Sequence, residues 1–229
     1  MSREFELRKE VVLPASPKEV WTAVATPDGQ AGWFMPGEEI GPGGAEVWDP
    51  PQHLVIALPP GEDGSFHRFE YLVEGREDGT VLRFVHSGKT GPGWSADYPE
   101  VTSHGWDFYL HSLGQYLTYF PGRSTVYVEA EAPASSAQRP AWDGFVAALG
   151  VSAVGDAISV SVPGLPAQEG VVDILNSDFL GFRTDDSLVR FHGRMRLDMP
   201  VAVSQHAYGS IDGAAFTEAW KKWLDAQFA

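Results

Sequence analysis

The chain offers seven imidazoles, the side chains whose protonation changes most readily near neutral pH. They are His53, His67, His86, His104, His111, His192 and His206. No two stand at the close spacing that would place both rings on one metal ion, so we predict no metal site. His86 has the clearest chemistry, because a neutral imidazole at the end of a predicted strand could hydrogen-bond a ligand or shuttle a proton. A core histidine bonded to the backbone is the alternative.

Aromatic side chains supply the second set of candidates, because a cleft lined by rings suits a flat or greasy ligand. Trp94 lies in a Gly/Pro-rich loop over residues 88–99, where helix packing does not need it, and we expect it to contact the ligand. His104, just before a predicted long helix, is expected at the pocket mouth, with helix capping or solvent exposure as alternatives. Core filling is the alternative for the other rings. The predicted ligand-binding residues are Trp33, Phe69, Tyr71, Phe84, His86, Trp94 and His104.

Compact catalytic and cofactor-binding motifs are missing from the sequence. Gly88-Lys89-Thr90 resembles the end of a phosphate-binding loop, but Arg83 occupies the position where such a loop needs its first glycine. Gly-x-Gly-x-x-Gly at a helix start, His-Glu-x-x-His, Gly-x-Ser-x-Gly and EF-hand loops are absent. The chain has no cysteine, which excludes disulfides, thiolate nucleophiles and Cys-ligated zinc. We therefore predict no cofactor and assign no catalytic residue.

Composition limits the classes of partner. The 229 residues are 43% hydrophobic, enough for a buried core, and 16 basic against 31 acidic residues give a net charge of −15. Such a charge repels phosphate backbones and anionic lipids, so we predict no nucleic-acid and no membrane partner. No run of about 18 apolar residues occurs and the first residues are charged, which predicts a cytoplasmic protein. Glu38 and Glu39 are expected to be solubilising, with a loop lid as the alternative.

The elements that would position these candidates begin with a strand over residues 4–13. Ser16 followed by Pro17 is typical of a helix N-terminus. Four further strands are expected over residues 45–48, 53–58, 66–75 and 80–87. The hairpin between the last two can be aligned by asking which register buries its large apolar side chains on one face. That register pairs Val73 with Leu82, Tyr71 with Phe84, and Phe69 with His86.

A long helix follows this antiparallel sheet. Its apolar residues Trp106, Leu110, Leu113, Leu117 and Phe120 repeat at spacings of 4, 3, 4 and 3. We expect this stripe to cover the apolar face of the sheet. A second set of rings lies off the stripe and needs another cover, either the second half of the chain or a homodimer partner. These rings are Phe108, Tyr109, Tyr116 and Tyr119.

The second half of the chain repeats this order of elements. Pro133-Ala134-Ser135 follows a predicted strand as Pro14-Ala15-Ser16 does, and strands over residues 157–208 precede a last helix striped by Phe216 and Trp220. We therefore predict two tandem domains, 1–123 and 124–229, of which the second is degenerate and structural. One domain with an irregular extension is the alternative.

Three segments of the first half resemble a known family: VWTAVATPDGQAGWF, GTVLRFVHSG and GWDFYLHSLGQYL, from residues 20, 79 and 105. They are similar to bacterial proteins related to the activator of the heat-shock-chaperone ATPase, within the START-like or SRPBCC superfamily, over residues 4–122. The resemblance implies an α+β helix-grip fold (START-like, Bet v-like), a curved antiparallel sheet around a long C-terminal helix. It also implies a cavity between sheet and helix that in many relatives holds a hydrophobic molecule.

These observations favour binding of a hydrophobic small molecule, lipid-like or aromatic and polyketide-like, between the sheet and the C-terminal helix. A cyclase or hydratase acting on polyketide-like substrates, with His86 or His104 as general base, is one alternative. A protein-interaction module of the chaperone co-factor kind is another, with a protein partner in place of a ligand. Because the first predicted strand starts at Glu4, we expect no separate chaperone-binding segment before it, which disfavours chaperone activation.

Overall fold

The computed structural model of the chain describes residues 2–37 and 40–229, so Glu38 and Glu39 lie outside the described residues. The chain divides into two compact units, Met1–Gly122 and Arg123–Ala229. In the described ranges, no helix combines the length and the apolar character needed to cross a membrane. The two units are considered separately below.

Among its described residues, the first unit forms an antiparallel sheet of five strands with three helices. Its strand order is β1-β5-β4-β3-β2, so the first strand pairs with the last. The long helix comes at its C-terminal end, which confirms the α+β helix-grip prediction. The elements are β1 Glu4–Leu13, α1 Pro17–Ala25, α2 Pro27–Ala31, β2 Val47–Asp49, β3 His53–Ala57, β4 Phe66–Arg76, β5 Gly79–Lys89 and α3 Tyr98–Tyr119.

The register of the β4–β5 hairpin is the predicted one. Val73 lies opposite Leu82, Tyr71 opposite Phe84, and Phe69 opposite His86. One pair further along, His67 lies opposite Gly88, and period-two alternation therefore places it on the same face as Phe69. On β1, Leu7 pairs with His86 and extends this face.

Helix α1 begins where its capping sequence predicts. The Ser16 side chain accepts a hydrogen bond from the backbone N–H of Glu19, whose carboxylate accepts one from the backbone N–H of Ser16 at 2.8 Å. Two backbone donors that have no partner inside the helix are satisfied in this way. Thr26 does the same for α2 by accepting a bond from the backbone N–H of Gly29 at 3.1 Å.

Helix α3 packs its predicted stripe against the sheet, and Trp106, Leu110 and Leu113 are buried. Lys9 of β1 forms an ion pair of 2.7 Å with Asp107 of this helix. The helix starts earlier than the sequence suggested, because Pro99 stands in its first turn, where a missing backbone N–H costs nothing. His104 is therefore an exposed residue within α3 and does not precede it, which corrects its predicted location.

Two of the rings that lie off the stripe are covered from within the first unit. Tyr109 meets Phe34 edge to face, with ring centroids 4.6 Å apart. Tyr116 lies against Gly32, where an added Cβ would stand 2.6 Å from the tyrosine ring. The segment that follows α2 thus packs against these two rings.

The second unit has a six-stranded antiparallel sheet in the order β6-β11-β10-β9-β8-β7, again with the first strand beside the last. Its C-terminal helix follows the last strand, as in the first unit. The elements are β6 Val126–Glu131, α4 Arg139–Ala148, β7 Ala157–Val160, β8 Gln168–Leu175, β9 Phe179–Arg183, β10 Ser187–His192, β11 Ala202–Ala207 and α5 Gly213–Gln227.

In the second unit the apolar pattern predicts a strand over residues 188–197, and the second part of this prediction is wrong. Strand β10 ends at His192, and Met195–Leu197 forms a single 3₁₀ turn. Gly193 lies so close to Trp142 that an added Cβ would stand 2.7 Å from the indole ring. The chain turns at this close approach, whereas the apolar pattern alone favours continued strand.

Candidate functional site

The centre of the candidate site is the imidazole of His86, which is 3% exposed on strand β5. Its Nδ1 accepts a hydrogen bond of 2.9 Å from Nε1 of Trp106 on α3. Its Nε2 lies 3.0 Å from Nδ1 of His67 on β4. Both ring nitrogens of His86 are therefore engaged inside the protein, and a hydrogen bond from His86 to a ligand would have to replace one of these contacts.

The positions of the protons on these two rings follow from the donor. An indole nitrogen only donates, so Nδ1 of His86 carries no proton. A neutral His86 then carries its proton on Nε2 and donates it to Nδ1 of His67. Because Nδ1 of His67 accepts this bond, a neutral His67 carries its own proton on Nε2. Trp106, His86 and His67 thus form a chain of hydrogen bonds with one direction.

Burial keeps both imidazoles neutral at pH 7. Desolvation lowers the pKa of His86 to about 4, and positive charge on His67 would lower it further. Desolvation also lowers the pKa of His67, although the nearby Asp63 carboxylate acts in the opposite direction. Nearby on the same face, burial raises the pKa of the Tyr71 hydroxyl. The interior of this layer therefore favours uncharged groups.

The predicted aromatic residues of β4 and β5 pack as a layer between the sheet and α3. Trp106 lies 4.2 Å from Phe84 and 5.8 Å from Phe69, measured between ring centroids. Phe69 lies 4.5 Å from His86, and Tyr71 lies 5.0 Å from Phe84. The structure thus brings together four of the predicted site residues, and their rings fill the middle of the layer.

The layer becomes accessible at the end where His67 lies. This ring is only partly buried, and Trp94 stacks beside it with centroids 5.9 Å apart and planes inclined by 28°. Tyr98, the first residue of α3, meets Trp94 edge to face at 4.7 Å. Phe5 of β1 stands 5.0 Å from His86 and 6.0 Å from His67. We call His67, Trp94, Tyr98 and Phe5 the mouth cluster.

A carboxylate fixes the loop that carries Trp94. Oδ1 of Asp63 accepts hydrogen bonds from the backbone N–H and the hydroxyl of Ser65, at 2.9 and 2.5 Å. These bonds and one from the Trp94 side chain lower the pKa of Asp63. Gly91 makes the approach feasible, because a Cβ at this position would stand 1.8 Å from Oδ2 of Asp63. The loop before β4 and the loop after β5 thus meet at Asp63 and Trp94.

Two of the predicted site residues lie apart from this arrangement. Trp33 is 1% exposed and its Nε1 donates a 2.9 Å hydrogen bond to the backbone carbonyl of Ala23, so it is a core residue with its polar atom satisfied. Phe34 lies between it and Trp106, with its ring stacked on Trp106 and tilted by 38° against Trp33. His104 is exposed on α3, in agreement with the alternative of solvent exposure.

Sequence analysis missed His67, Tyr98 and Asp63. The predicted hairpin register contained the signal for His67, because extending it by one pair places His67 on the face of Phe69 and His86. The Gly/Pro-rich sequence around Tyr98 predicts a loop, whereas Tyr98 is the first residue of α3. The role of Asp63 depends on two loops that meet in space, and sequence spacing carries no signal for that.

The polar groups inside the second unit bond to one another. The side-chain amide nitrogen of Gln205 donates to Oε1 of Gln168 and to Oγ of Ser187, both at 3.0 Å. Its oxygen accepts from Nε1 of Trp220 at 2.8 Å. This network links β8, β10, β11 and α5, and it stabilises the packing of the helix on the sheet.

No metal centre is found among the described residues, since no group of three or more His, Asp or Glu side chains converges there.

No protein-family model and no curated protein matches the chain. Several solved structures are similar to the chain. DynU16, a protein from the dynemicin biosynthetic locus, is 17% identical, and the match covers 97% of this chain and 95% of that chain with a TM-score of 0.40.

Two further solved structures illustrate the range of the similarity. BexL, a di-domain ARO/CYC protein from the BE-7585A biosynthetic pathway, is 14% identical over 88% of this chain and 84% of its own, with a TM-score of 0.43. An AHSA1-like protein from Rhizobium etli is 25% identical over 53% of this chain and 84% of its own, with a TM-score of 0.39.

Proposed function

We propose that the first unit binds an apolar, ring-containing small molecule at the mouth cluster, where the layer between the sheet and α3 is accessible. The observation that carries this proposal is the set of partly buried rings of His67, Trp94 and Tyr98, beside a buried imidazole that is neutral at pH 7. Rings stacked at such an opening offer apolar surface and defined contact geometry for a flat ligand.

The balance of forces favours a neutral, hydrophobic ligand. Burial of apolar surface contributes about 25 cal/mol per Å², so a ligand covering part of Trp94 and Tyr98 gains most of its affinity from these rings. An anionic ligand would meet the Asp63 carboxylate and a chain of net charge −15. Specificity then falls to the polar atoms of the histidine pair.

Native mass spectrometry of the purified full chain, compared with the same sample denatured, tests this proposal. We expect a reproducible small-molecule mass that leaves on unfolding, or failing that a dissociation constant well below millimolar for a three-ring aromatic probe. Trp94→Ala should weaken binding about tenfold, since it removes a stacking surface. Val12→Ala, at a 66% exposed position of β1 far along the strand from Phe5, is the matched control. Dissociation constants above millimolar for every aromatic probe would refute the proposal.

A cyclase or hydratase activity is a second candidate, and the bonded His67–His86 pair is the observation that favours it. A neutral imidazole at a half-buried position can accept or release a proton in the transition state. We would incubate the protein with its co-purified molecule and measure the loss or gain of one water by mass spectrometry. Turnover that persists unchanged in His67→Phe would exclude this pair as the acid–base group.

A further inference from the structure

We infer that His67 presents its Nε2–H to the bound molecule, so that the site selects aromatic ligands that carry a hydrogen-bond-accepting oxygen, such as an aryl ketone or quinone carbonyl. This inference rests on the proposed function of the mouth cluster and names the ligand chemistry of that site.

Nδ1 of His67 already takes part in a hydrogen bond inside the protein. It lies 3.0 Å from Nε2 of His86, whose other nitrogen accepts the bond from Trp106. Because the indole can only donate, the direction of every bond in this chain is fixed, and a neutral His67 is left with a proton on Nε2. The indole of Trp106 thus determines, through His86, that Nε2 of His67 is a hydrogen-bond donor and not an acceptor.

The direction in which this proton points follows from the geometry of the ring. The two nitrogens of an imidazole face nearly opposite sides of the ring, and Nδ1 of His67 faces the buried His86. The N–H on Nε2 therefore points away from the interior. Within residues 2–37 and 40–229, the structure shows no hydrogen-bond partner for this atom. A half-buried donor without a protein partner can serve a ligand at no cost to the fold.

The surroundings of His67 restrict the chemistry of the acceptor. The rings of Trp94 and Tyr98 flank His67 and suit the flat body of an aromatic molecule. The Asp63 carboxylate, which acts on His67 through its charge, opposes a carboxylate or phosphate on the ligand. A neutral carbonyl oxygen satisfies both conditions, because it accepts the hydrogen bond and brings no charge.

Three probes of nearly equal shape test the inference on the full chain. Fluorene has no strong polar group, 9-fluorenone carries a carbonyl acceptor, and carbazole carries an N–H donor. Equilibrium dialysis with quantification of the free probe gives the three dissociation constants at pH 7.5. We expect 9-fluorenone to bind about three to ten times more tightly than fluorene, after correction for their different solubilities, with carbazole no tighter than fluorene.

His67→Phe separates the donor from the ring. The variant keeps a stacking surface and removes the N–H, so we expect the preference for 9-fluorenone to disappear while the affinity for fluorene stays within about twofold. His104→Phe makes the same change at an exposed position of α3 and should leave the preference intact. In the unsubstituted protein, ¹⁵N NMR should show His67 protonated on Nε2, and this resonance should shift on addition of 9-fluorenone.

The outcomes distinguish this inference from the proposal on which it rests. If none of the three probes binds, the proposed function fails and the inference falls with it. Equal binding of all three would leave the proposed function in place and overturn the inference. Tighter binding of carbazole, or a His67 resonance protonated on Nδ1, would mean that the hydrogen bonds run in the reverse direction.

Discussion

Nε1 of Trp106 lies 2.9 Å from Nδ1 of His86, and this contact joins the long helix to the sheet through a buried hydrogen bond. Both residues belong to different elements, and the bond forms only when α3 packs on the sheet in one position along its axis. The fold therefore sets the protonation pattern of the site, because the indole dictates which nitrogen of His86 carries the proton.

Replacing Trp106 by Phe should remove the constraint that keeps the proton of His86 on Nε2. The phenyl ring keeps most of the apolar packing against Phe84, but Nδ1 of His86 loses its donor. We expect ¹⁵N NMR to show a mixture of the two neutral tautomers of His86, together with a stability loss of about 1–3 kcal/mol from the smaller ring. Trp48→Phe, which changes a half-buried indole packed against Trp21, is the control. A His86 still protonated only on Nε2 would contradict the argument.

Stability should fall as the pH drops from 6.5 towards 4. The unfolded chain binds a proton at His86 with its ordinary pKa of 6.5, whereas burial lowers the folded pKa to about 4, so acid favours unfolding throughout this window. The full contribution is present above pH 6.5. Between pH 7.5 and pH 5 we expect a loss of about 2 kcal/mol from His86. Buried His192, with its pKa lowered to about 3, acts in the same direction.

Urea unfolding of the full chain at the two pH values measures this loss. His86→Gln should reduce the difference, since an amide does not titrate and its oxygen can still accept from Trp106. His104→Gln, at an exposed position of α3, is the control variant. Identical pH dependence in the His86→Gln variant would show that the protons are taken up elsewhere.

Gly91→Ala should open the mouth cluster. The new methyl group would occupy the position of Oδ2 of Asp63, so the carboxylate must move away and the Trp94 side chain loses its partner. We expect a red-shifted tryptophan emission and faster proteolysis within residues 90–97, at a stability cost of about 1 kcal/mol. Gly105→Ala is the matched control, because a Cβ meets nothing within 4 Å there and should stabilise α3 by about 0.5–1 kcal/mol. Unchanged emission in Gly91→Ala would rule out the Asp63–Trp94 contact as the link between the loops.

The sequence predicts those parts of this site that depend on local periodicity. The β4–β5 register follows from alternation, because a slip of one residue would turn Tyr71 and Phe84 away from the core. The apolar stripe of α3 is likewise read from spacing, and Trp106 is buried as the stripe requires. Alternation does not determine where along its axis α3 packs against the sheet. The hydrogen bond between Trp106 and His86 is therefore visible only in the structure.

The misplaced residues show a second limit. His104 was placed before the helix because Pro99 was read as the end of a loop, although a proline in the first helical turn is equally favourable. A ring suited to a ligand-binding cleft predicts ligand contact for Trp33, whereas its indole nitrogen bonds to the Ala23 carbonyl within the core. The composition of a segment does not show which atoms are already satisfied by the backbone.

The two serines that suggested a repeat between the halves should differ in their effect on stability. Ser16 caps α1 reciprocally with Glu19, and Ser16→Ala should therefore cost about 1 kcal/mol. Ser135 stands at the corresponding place in the sequence, but helix α4 has Gln138 at its N-cap without a side-chain bond. The Ser135 hydroxyl donates instead to the backbone carbonyl of Phe228, at 3.2 Å on an exposed site. Ser135→Ala should cost less than about 0.5 kcal/mol.

Chemical denaturation of the two alanine variants, analysed beside the unsubstituted chain, compares these effects. Ser16→Asp is the informative companion, because an aspartate can replace the serine as acceptor for the Glu19 N–H and also suits the positive end of the helix dipole. Its carboxylate would, however, face that of Glu19, so recovery of about half the loss is expected. Equal losses of stability in Ser16→Ala and Ser135→Ala would mean that the hydrogen bonds of the Ser16 cap do not stabilise α1.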